Sequence, residues 1–460
     1  MTLDRRYFFC GIGGSGMLPL AMIVAGRGAE IAGSDRARDQ GRSPEKFAYL
    51  AQHGAMLFPQ DGSGITDPDT TVIVSTAVEA TVPDVAAAMA IGARIKTRAQ
   101  LLADLFNSAP AGIGIAGTSG KSTTTGMLGW ILSATGRDPT IMNGAVMKNF
   151  VAADAPFASA RVGQGEAFVA EVDESDGSIA LYQPQIAVLN NVAFDHKSMD
   201  ELRVLFANYL GKAKAAVVNR DNAEAAALAG PTALTYSLAD PSATVFGFDL
   251  APAQDGIAFS LREGGETLRL KLQVPGRHNV ANGLAAIAAA RAYGLSLREA
   301  GTALEGFQGV KRRLERVGTA NGITVYDDFA HNPDKIAATL ATLHDFPGRL
   351  LVLFQPHGFG PLKLMKSGFI DVFAGMLSTA DVLTMPEPVY FGGTVDRAVS
   401  SSEIIAGVSA AGRQGFAFAT REECGTKLLS LAKPGDRIVV MGARDDTLSS
   451  FAADLLAKLG

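Results

Sequence analysis

The stretch that most constrains this chain is Gly114–Gly126, reading GIAGTSGKSTTTG. An apolar run, Ala111–Ala116, meets a Gly-Thr-Ser-Gly turn, then Lys121, Ser122, three threonines and the apolar-periodic segment Met127–Leu132. That order predicts strand, phosphate loop and helix. In such a turn the backbone N–H groups face an anion, and the helix start adds partial positive charge. Gly117, Thr118, Ser119, Gly120 and Thr123 frame the loop, Lys121 reaches toward the outer phosphates, and the Ser122 hydroxyl suits Mg2+. The spacing departs from the strict eight-residue pattern, because Ile115 stands where a glycine is usual and Gly114 lies one position earlier. ATP with Mg2+ is the expectation; an ordinary glycine-rich strand-to-helix turn is the plain alternative. A loop lysine is expected to add little to stability, so Lys121→Ala is expected to abolish turnover and leave the fold intact.

At 460 residues the chain exceeds one comfortable core, which predicts about three domains. A net charge of −5 gives no basic signature for nucleic acid. Cys10 and Cys424 are the two cysteines, too few for a disulfide framework, and they predict a reducing compartment. The N-terminus lacks a signal-peptide core, and no run approaches ~20 apolar residues, so a cytoplasmic protein without membrane contact is expected.

The first domain, 1–107, opens with the apolar run Tyr7–Cys10, then Gly11-Ile12-Gly13-Gly14-Ser15-Gly16-Met17, a helical stretch and a second strand ending at Gly33-Ser34-Asp35. Such glycines allow close approach of a pyrophosphate, and an acid about 20 residues on suits a ribose. The fingerprint alone fits NAD, FAD or a UDP-sugar equally. The central domain, 108–314, carries the phosphate loop. Its strand Ala167–Val172 runs into Glu171, Asp173, Glu174 and Asp176, placed to hold Mg2+ or its waters, or else a solvated acidic turn. Strand Ile186–Asn190 leads to His196, a metal-ligand candidate in the same domain. Thr244–Val274 alternates in short runs, predicting a small antiparallel patch. Asn279 and Asn282, three apart at the start of an alanine-rich helix, either read a purine edge or cap the helix. In the third domain, 315–460, strands Ile323–Tyr326, Leu350–Phe354, Val382–Met385 and Ile438–Met441 alternate with helices and imply a third parallel layer.

Taken in order, GIGGSGM with GSD, VIVSTAV, GTSGKSTTT, AEVDESDGS, NNVAFDH, PGRHNVANGLAA, GVKRRLE, YDDFAHNP and FQPH resemble the Mur ligases, ATP-dependent amino-acid ligases of peptidoglycan precursor synthesis. The resemblance covers essentially the whole chain and is nearest to the alanine-adding branch. It implies an α/β fold of three domains: Rossmann-like and UDP-sugar-binding, a P-loop-type ATPase with a small antiparallel patch, and Rossmann-like again. It implies that ATP phosphorylates the carboxylate of a UDP-N-acetylmuramate-type substrate, and that an amino acid or short peptide then attacks the acyl phosphate. Lys121 would hold the β/γ phosphates; Ser122 and Glu171 would bind one Mg2+ and His196 a second. Asn279 and Asn282 would contact adenine, Arg313 the phosphates and Asp328 the ribose, coupling ATP to closure of the third domain. Gly11, Gly13, Gly14, Ser15, Gly16 and Met17 would cradle the UDP diphosphate, with Ser34, Asp35, Ser75 and Thr76 nearby. His331 and His357 would meet the amine, His331 also as a catalytic residue. A monomer or weak homodimer is expected.

Three departures stand out. The alanine-adding enzymes carry His-Arg-Tyr after FQP, where this chain has His357-Gly358-Phe359. Their DDYGHHP is DDFAHNP here, and Ser119 replaces a histidine of the phosphate loop. The helix Met199–Leu210, in contrast, agrees with the alanine-adding branch: it contains no lysine for the carbamylated metal ligand of other Mur ligases. Lys363-Leu-Met-Lys-Ser-Gly-Phe is similar to the branch that reattaches recycled peptide, so that activity stays open, as does a Mur-like ligase for a non-peptidoglycan carboxylate. A nicotinamide oxidoreductase would leave the phosphate loop, Glu171 and His196 unexplained, and a non-catalytic paralogue would not need them.

Overall fold

The computed structural model describes residues 4–75, 81–194, 197–388, 399–443, 445 and 447–460. Three sheets lie in two compact units, one of residues 1–249, 259–270 and 280–308, the other of 250–258, 271–279 and 309–460.

In the first sheet, β1 (Arg6–Cys10), β2 (Glu30–Ser34), β3 (Met56–Phe58), β4 (Thr71–Val74) and β5 (Arg94–Thr97) run parallel in the order β3-β2-β1-β4-β5. Pleating sends Tyr7, Phe9, Ile31 and Ile73 into one core and Phe8, Cys10, Ala32 and Val72 into another. A parallel sheet buried on both faces needs apolar residues at every position, hence the unbroken run at Tyr7–Cys10.

The second sheet comprises β6 (Ala111–Ala116), β7 (Thr140–Met142), β8 (Ala160–Arg161), β9 (Ala167–Glu171), β10 (Ile186–Leu189), β11 (Ala215–Asn219), β12 (Leu234–Ser237), β13 (Val245–Ala253), β14 (Gly256–Glu263) and β15 (Glu266–Leu272). The order is β15-β14-β13-β12-β11-β10-β6-β9-β7-β8. β6 sits between β9 and β10, parallel to both, so three strand ends converge where the phosphate loop begins. Two-residue links join β13 to β14 and β14 to β15, and only antiparallel neighbours permit such links. This is the patch expected at Thr244–Val274.

The third sheet comprises β16 (Glu315–Ala320), β17 (Ile323–Asp328), β18 (Leu350–Gln355), β19 (Val382–Pro386), β20 (Gln414–Phe418) and β21 (Arg437–Gly442), in the order β16-β17-β21-β18-β19-β20. Five strands are parallel, as expected; β16 is antiparallel to β17. The reason is the two-residue turn Asn321-Gly322, with φ of 48° and 74°, whose left-handed pair matches a tight hairpin. Tyr326, Val352, Phe354, Val439 and Met441 fill one face, and Val325, Leu351, Leu353, Ile438 and Val440 the other.

Candidate functional site: a phosphate loop at three strand ends

The helix Lys121–Ala134 follows β6 after a four-residue loop. Gly120 ends that loop with φ of 80°, and a Cβ there would lie 2.5 Å from Asn282 Oδ1 and 3.0 Å from Asn190 Nδ2. Both conformation and space therefore demand glycine. Gly117, φ 131°, is similarly closed in by the backbone of Asn191 at 3.0 Å.

Asn191, just beyond β10, straps the loop from behind. Its Oδ1 accepts from Thr118 Oγ1 (2.7 Å) and from Ser119 N (2.9 Å), and its Nδ2 donates to Ser119 Oγ (2.9 Å). Beneath it, Asn190 Nδ2 donates to Thr124 Oγ1 (3.0 Å), which donates to Asn282 Oδ1 (3.3 Å), and Tyr236 O–H donates to Asn190 Oδ1 (3.2 Å). Asn282 thus stands at the loop, while Asn279 donates to Pro275 O at 2.7 Å. Thr123 is buried at the helix start.

Lys121 Nζ donates to Gly117 O (2.8 Å) and to Glu174 Oε2 (2.9 Å); the two side chains are 18% and 5% exposed. Burial by itself would lower the Lys121 pKa, but Glu174, Asp173 and Glu171 outweigh it and hold the ammonium above the ordinary lysine value. This argues against the expectation that Lys121 matters little to stability: without it a buried carboxylate loses its counter-charge.

Ser122 Oγ donates to Glu171 Oε2 at 2.9 Å, and Asn143 Nδ2 holds Ser122 O at 2.9 Å. Gly144 lies so close to Glu171 that a Cβ there would overlap Oε1. A hydroxyl and a carboxylate, both hard oxygen donors beside a phosphate loop, fit Mg2+, which is held by one or two carboxylates plus waters and substrate phosphate. Among the described residues no three His, Cys, Asp or Glu gather into a self-sufficient metal cluster. His196 and Thr76 lie outside the described residues.

In the first sheet the loop after β1 is largely self-bonded. Gly11 N donates to Ser34 O, Gly13 N to Asp35 Oδ2, Gly14 N to Gly11 O and Met17 N to Gly14 O. Met17's side chain belongs to the core. Among the described residues, Ser15 and Gly16 are left with N–H groups not spent on the protein. Asp35 also caps the next helix through Ala37 N (2.8 Å), so its expected ribose contact would use the remaining lone pairs. Ser34 O–H donates to buried Asp84, whose pKa burial pushes upward. Ser75 follows β4 and is half-buried.

The second unit brings together the other expected residues. Asp328 accepts from Leu314 N (3.0 Å) and from Thr339 O–H, fixing a loop in which Arg312 and Leu314 have φ of 58° and 48°. Arg313 lies over the Phe329 ring at 4.7 Å. His331 and His357 meet edge-to-face at 5.2 Å, and His331 Nδ1 sits 2.8 Å from Phe329 O. Gly358, where the alanine-adding branch carries arginine, has φ of 138°. Asn191, Asn143 and Asp84 were not singled out from sequence as parts of these sites, and Glu174, expected near Mg2+, instead pairs with Lys121; the doubled Asn190-Asn191 at a strand end was the one local signal for the strap.

Three family profiles match the chain: "Mur ligase family, catalytic domain" over 6–109, "Mur ligase middle domain" over 115–290 and "Mur ligase, glutamate ligase domain" over 312–444. A UDP-N-acetylmuramate–L-alanine ligase of Synechococcus sp. (strain JA-3-3Ab) is 36% identical over 464 residues, covering 98% of this chain and 87% of that one. One of Agrobacterium fabrum is 32% identical, covering 98% and 96%. The crystal structure of a UDP-N-acetylmuramate-alanine ligase from Thermotoga maritima superposes with a TM-score of 0.79 at 25% identity, covering 98% of each chain. A murein peptide ligase from Psychrobacter arcticus shares the fold, with a TM-score of 0.68 at 24% identity, covering 99% of each.

Proposed function

This chain belongs to the Mur ligase family and is a ligase of that ATP-dependent, ADP-forming class, and we propose that it joins L-alanine to UDP-N-acetylmuramate in peptidoglycan precursor synthesis. The observation that carries the chemistry is the half-buried Lys121 beside the Ser122–Glu171 pair, at the ends of β6 and β9.

The muramoyl carboxylate oxygen attacks the γ-phosphorus of ATP, the bond to the bridging oxygen breaks, and ADP leaves. Lys121 moves from Glu174 to the phosphates and neutralises charge that builds on the migrating group. Bound Mg2+ would supply the same neutralisation at the phosphoryl oxygens, held by Ser122 and Glu171. The amine nitrogen then attacks the carbonyl carbon, its proton passes to a phosphate oxygen or to water, and the C–O bond breaks as inorganic phosphate departs from the tetrahedral intermediate. The reading gives Ser15, Gly16 and their neighbours to the UDP diphosphate. It gives His196 to a second metal, Asn279, Asn282, Arg313 and Asp328 to the nucleotide, and His331 and His357 to the amine. It also takes 1–107, 108–314 and 315–460 as the domains, a monomer or weak homodimer as the state, and the cytoplasm as the place. No helix among the described residues is long and apolar enough to cross a membrane.

Gly358 favours a second reading of the amine. Its φ of 138° disfavours any side chain, so the arginine expected near an amino-acid carboxylate has no ready place there. A short peptide is the alternative amine. The test is ADP and phosphate release from purified protein with UDP-N-acetylmuramate and a panel of amino acids and peptides. Release that needs both acceptor and amine supports the assignment, and alanine outcompeting peptides selects the first reading. No stimulation by any combination refutes the peptidoglycan assignment.

A further inference from the structure

Arg98 was not among the residues the sequence singled out, and the proposed mechanism does not use it. It is the first residue of the helix Arg98–Asn107, directly after β5, and the Thr97–Gln100 capping box fixes where that helix starts. Its side chain lies across Gly16: a Cβ on Gly16 would be 3.0 Å from Arg98 Cδ, 3.3 Å from Nε and 3.4 Å from Nη1. The guanidinium has five donors. Its one ion-pair partner among the described residues is Asp176, at 4.0 Å, the outer limit of such a contact, with the side chains 29% and 23% exposed. A pair of that length, with both side chains in contact with solvent, contributes little. Holding the acidic turn is therefore a poor account of a planar, five-donor group kept against a glycine.

The surroundings suit an anion better. Ser15 and Gly16 carry the loop N–H groups not spent on the protein, and Gly16 is the residue the guanidinium crosses. On its other side stands the acidic turn that also faces Lys121. Burial alone would raise the Asp173 pKa, but Lys121 foremost, and Arg98 further down, hold it below the usual carboxylate range. Asp173 thus lies in the fields of both cations, one beside each glycine loop.

The geometry points to Arg98 as a substrate-binding residue that grips the diphosphate of the nucleotide-sugar acceptor over Gly16, with the Ser15 and Gly16 N–H groups completing the cradle. This rests on the reading of the first sheet as the UDP-sugar site. A planar guanidinium takes two phosphate oxygens at once, which an ammonium does not. The loop N–H groups alone would bind the diphosphate without orienting it.

The test is titration of full-length wild type, Arg98→Gln and Arg98→Lys with UDP, UDP-N-acetylmuramate, uridine and ATP. Arg98→Gln is expected to bind UDP about 10- to 100-fold more weakly, the loss of charge-assisted hydrogen bonds, with uridine and ATP affinities unchanged. Arg98→Lys, which keeps the charge and guards against a folding failure in the glutamine variant, is expected to fall between the two. Equal UDP affinity in all three proteins overturns the inference. Parallel loss of UDP and uridine overturns it too, because Arg98 would then be shaping the loop. A loss confined to UDP-N-acetylmuramate, with UDP unaffected, would place Arg98 on the muramoyl carboxylate and refute the diphosphate assignment. Wild type that binds ATP but no UDP removes the acceptor reading itself, and with it this inference.

Discussion

Removing Lys121 should cost stability as well as turnover. At 2.9 Å and an effective dielectric constant of 20 the gross attraction between Lys121 and Glu174 is about 6 kcal/mol. Part of that offsets the desolvation of a buried carboxylate and a half-buried ammonium. What a truncation exposes is the uncompensated Glu174 carboxylate, and losing one partner of such a pair costs about 3–5 kcal/mol. Because Lys121 keeps some solvent contact, the lower end applies, and Lys121→Ala is expected to lose about 3 kcal/mol. Lys121→Ala/Glu174→Gln removes both charges and should recover all but about 1 kcal/mol, while remaining inactive. The protein provides its own reporter. Trp130 is the one tryptophan, sits in the helix that Lys121 begins, and donates to Ala303 O at 2.8 Å. Urea titration followed by its fluorescence at pH 7.5 reads the first unit directly. The raised Lys121 pKa means this stabilisation is fully present below the ordinary lysine value and fades only as pH climbs through the folded one. A Lys121→Ala protein within about 0.5 kcal/mol of wild type, or a double variant no more stable than the single, would refute the argument.

Glu171→Gln should raise the Mg2+ needed for half-maximal turnover at least about 10-fold, because an amide is a poor ligand for a hard cation; a superimposable Mg2+ titration would return Glu171 to a structural role. Gly120→Ala combines a φ of 80° with a 2.5 Å approach to Asn282 and should cost about 2–3 kcal/mol together with ATP binding. Gly54→Ala, at φ 86° with nothing within 4 Å, should cost only about 1–2 kcal/mol and leave ATP binding alone; equal effects would discount the clash. Asp327 is pushed up to about 6 by burial, against the opposing pull of Arg312 at 3.5 Å. A raised carboxylate favours the folded state while protonated, so its contribution is full below pH ~4 and lost as pH rises through about 6, a fall of about 3 kcal/mol. Asp327→Asn should flatten that part of the stability–pH curve, and an unchanged slope would assign it to other groups.

The strands legible in the sequence are those whose two faces are both buried. Ala111–Ala116 was read with the ends the structure gives it, and β17, β18 and β21 within a residue or two. β3, β8, β16 and β20 were not read, because short or half-exposed edge strands carry at most a brief apolar run. β16 was discoverable all the same, since Asn321-Gly322 before an alternating segment is a strong hairpin signal. The phosphate loop was legible because its chemistry is contiguous. Its supports were not: Glu174 lies 53 residues from Lys121 and Asn191 lies 73 from Thr118, and only the placement of β6 between β9 and β10 brings them together. The pairing that gives Lys121 a part in stability was not legible for the same reason, as its partner lies 53 residues away.

The Asn191 strap has a pharmacological corollary. A turn lashed down by an amide from the neighbouring strand keeps its contour when empty. A small molecule moulded to the vacant turn would meet the surface that the nucleotide meets, and neither would have to reshape it first. Loosening that one lashing, by Asn191→Ala, would make the receptacle pliable and blunt such a compound and ATP alike.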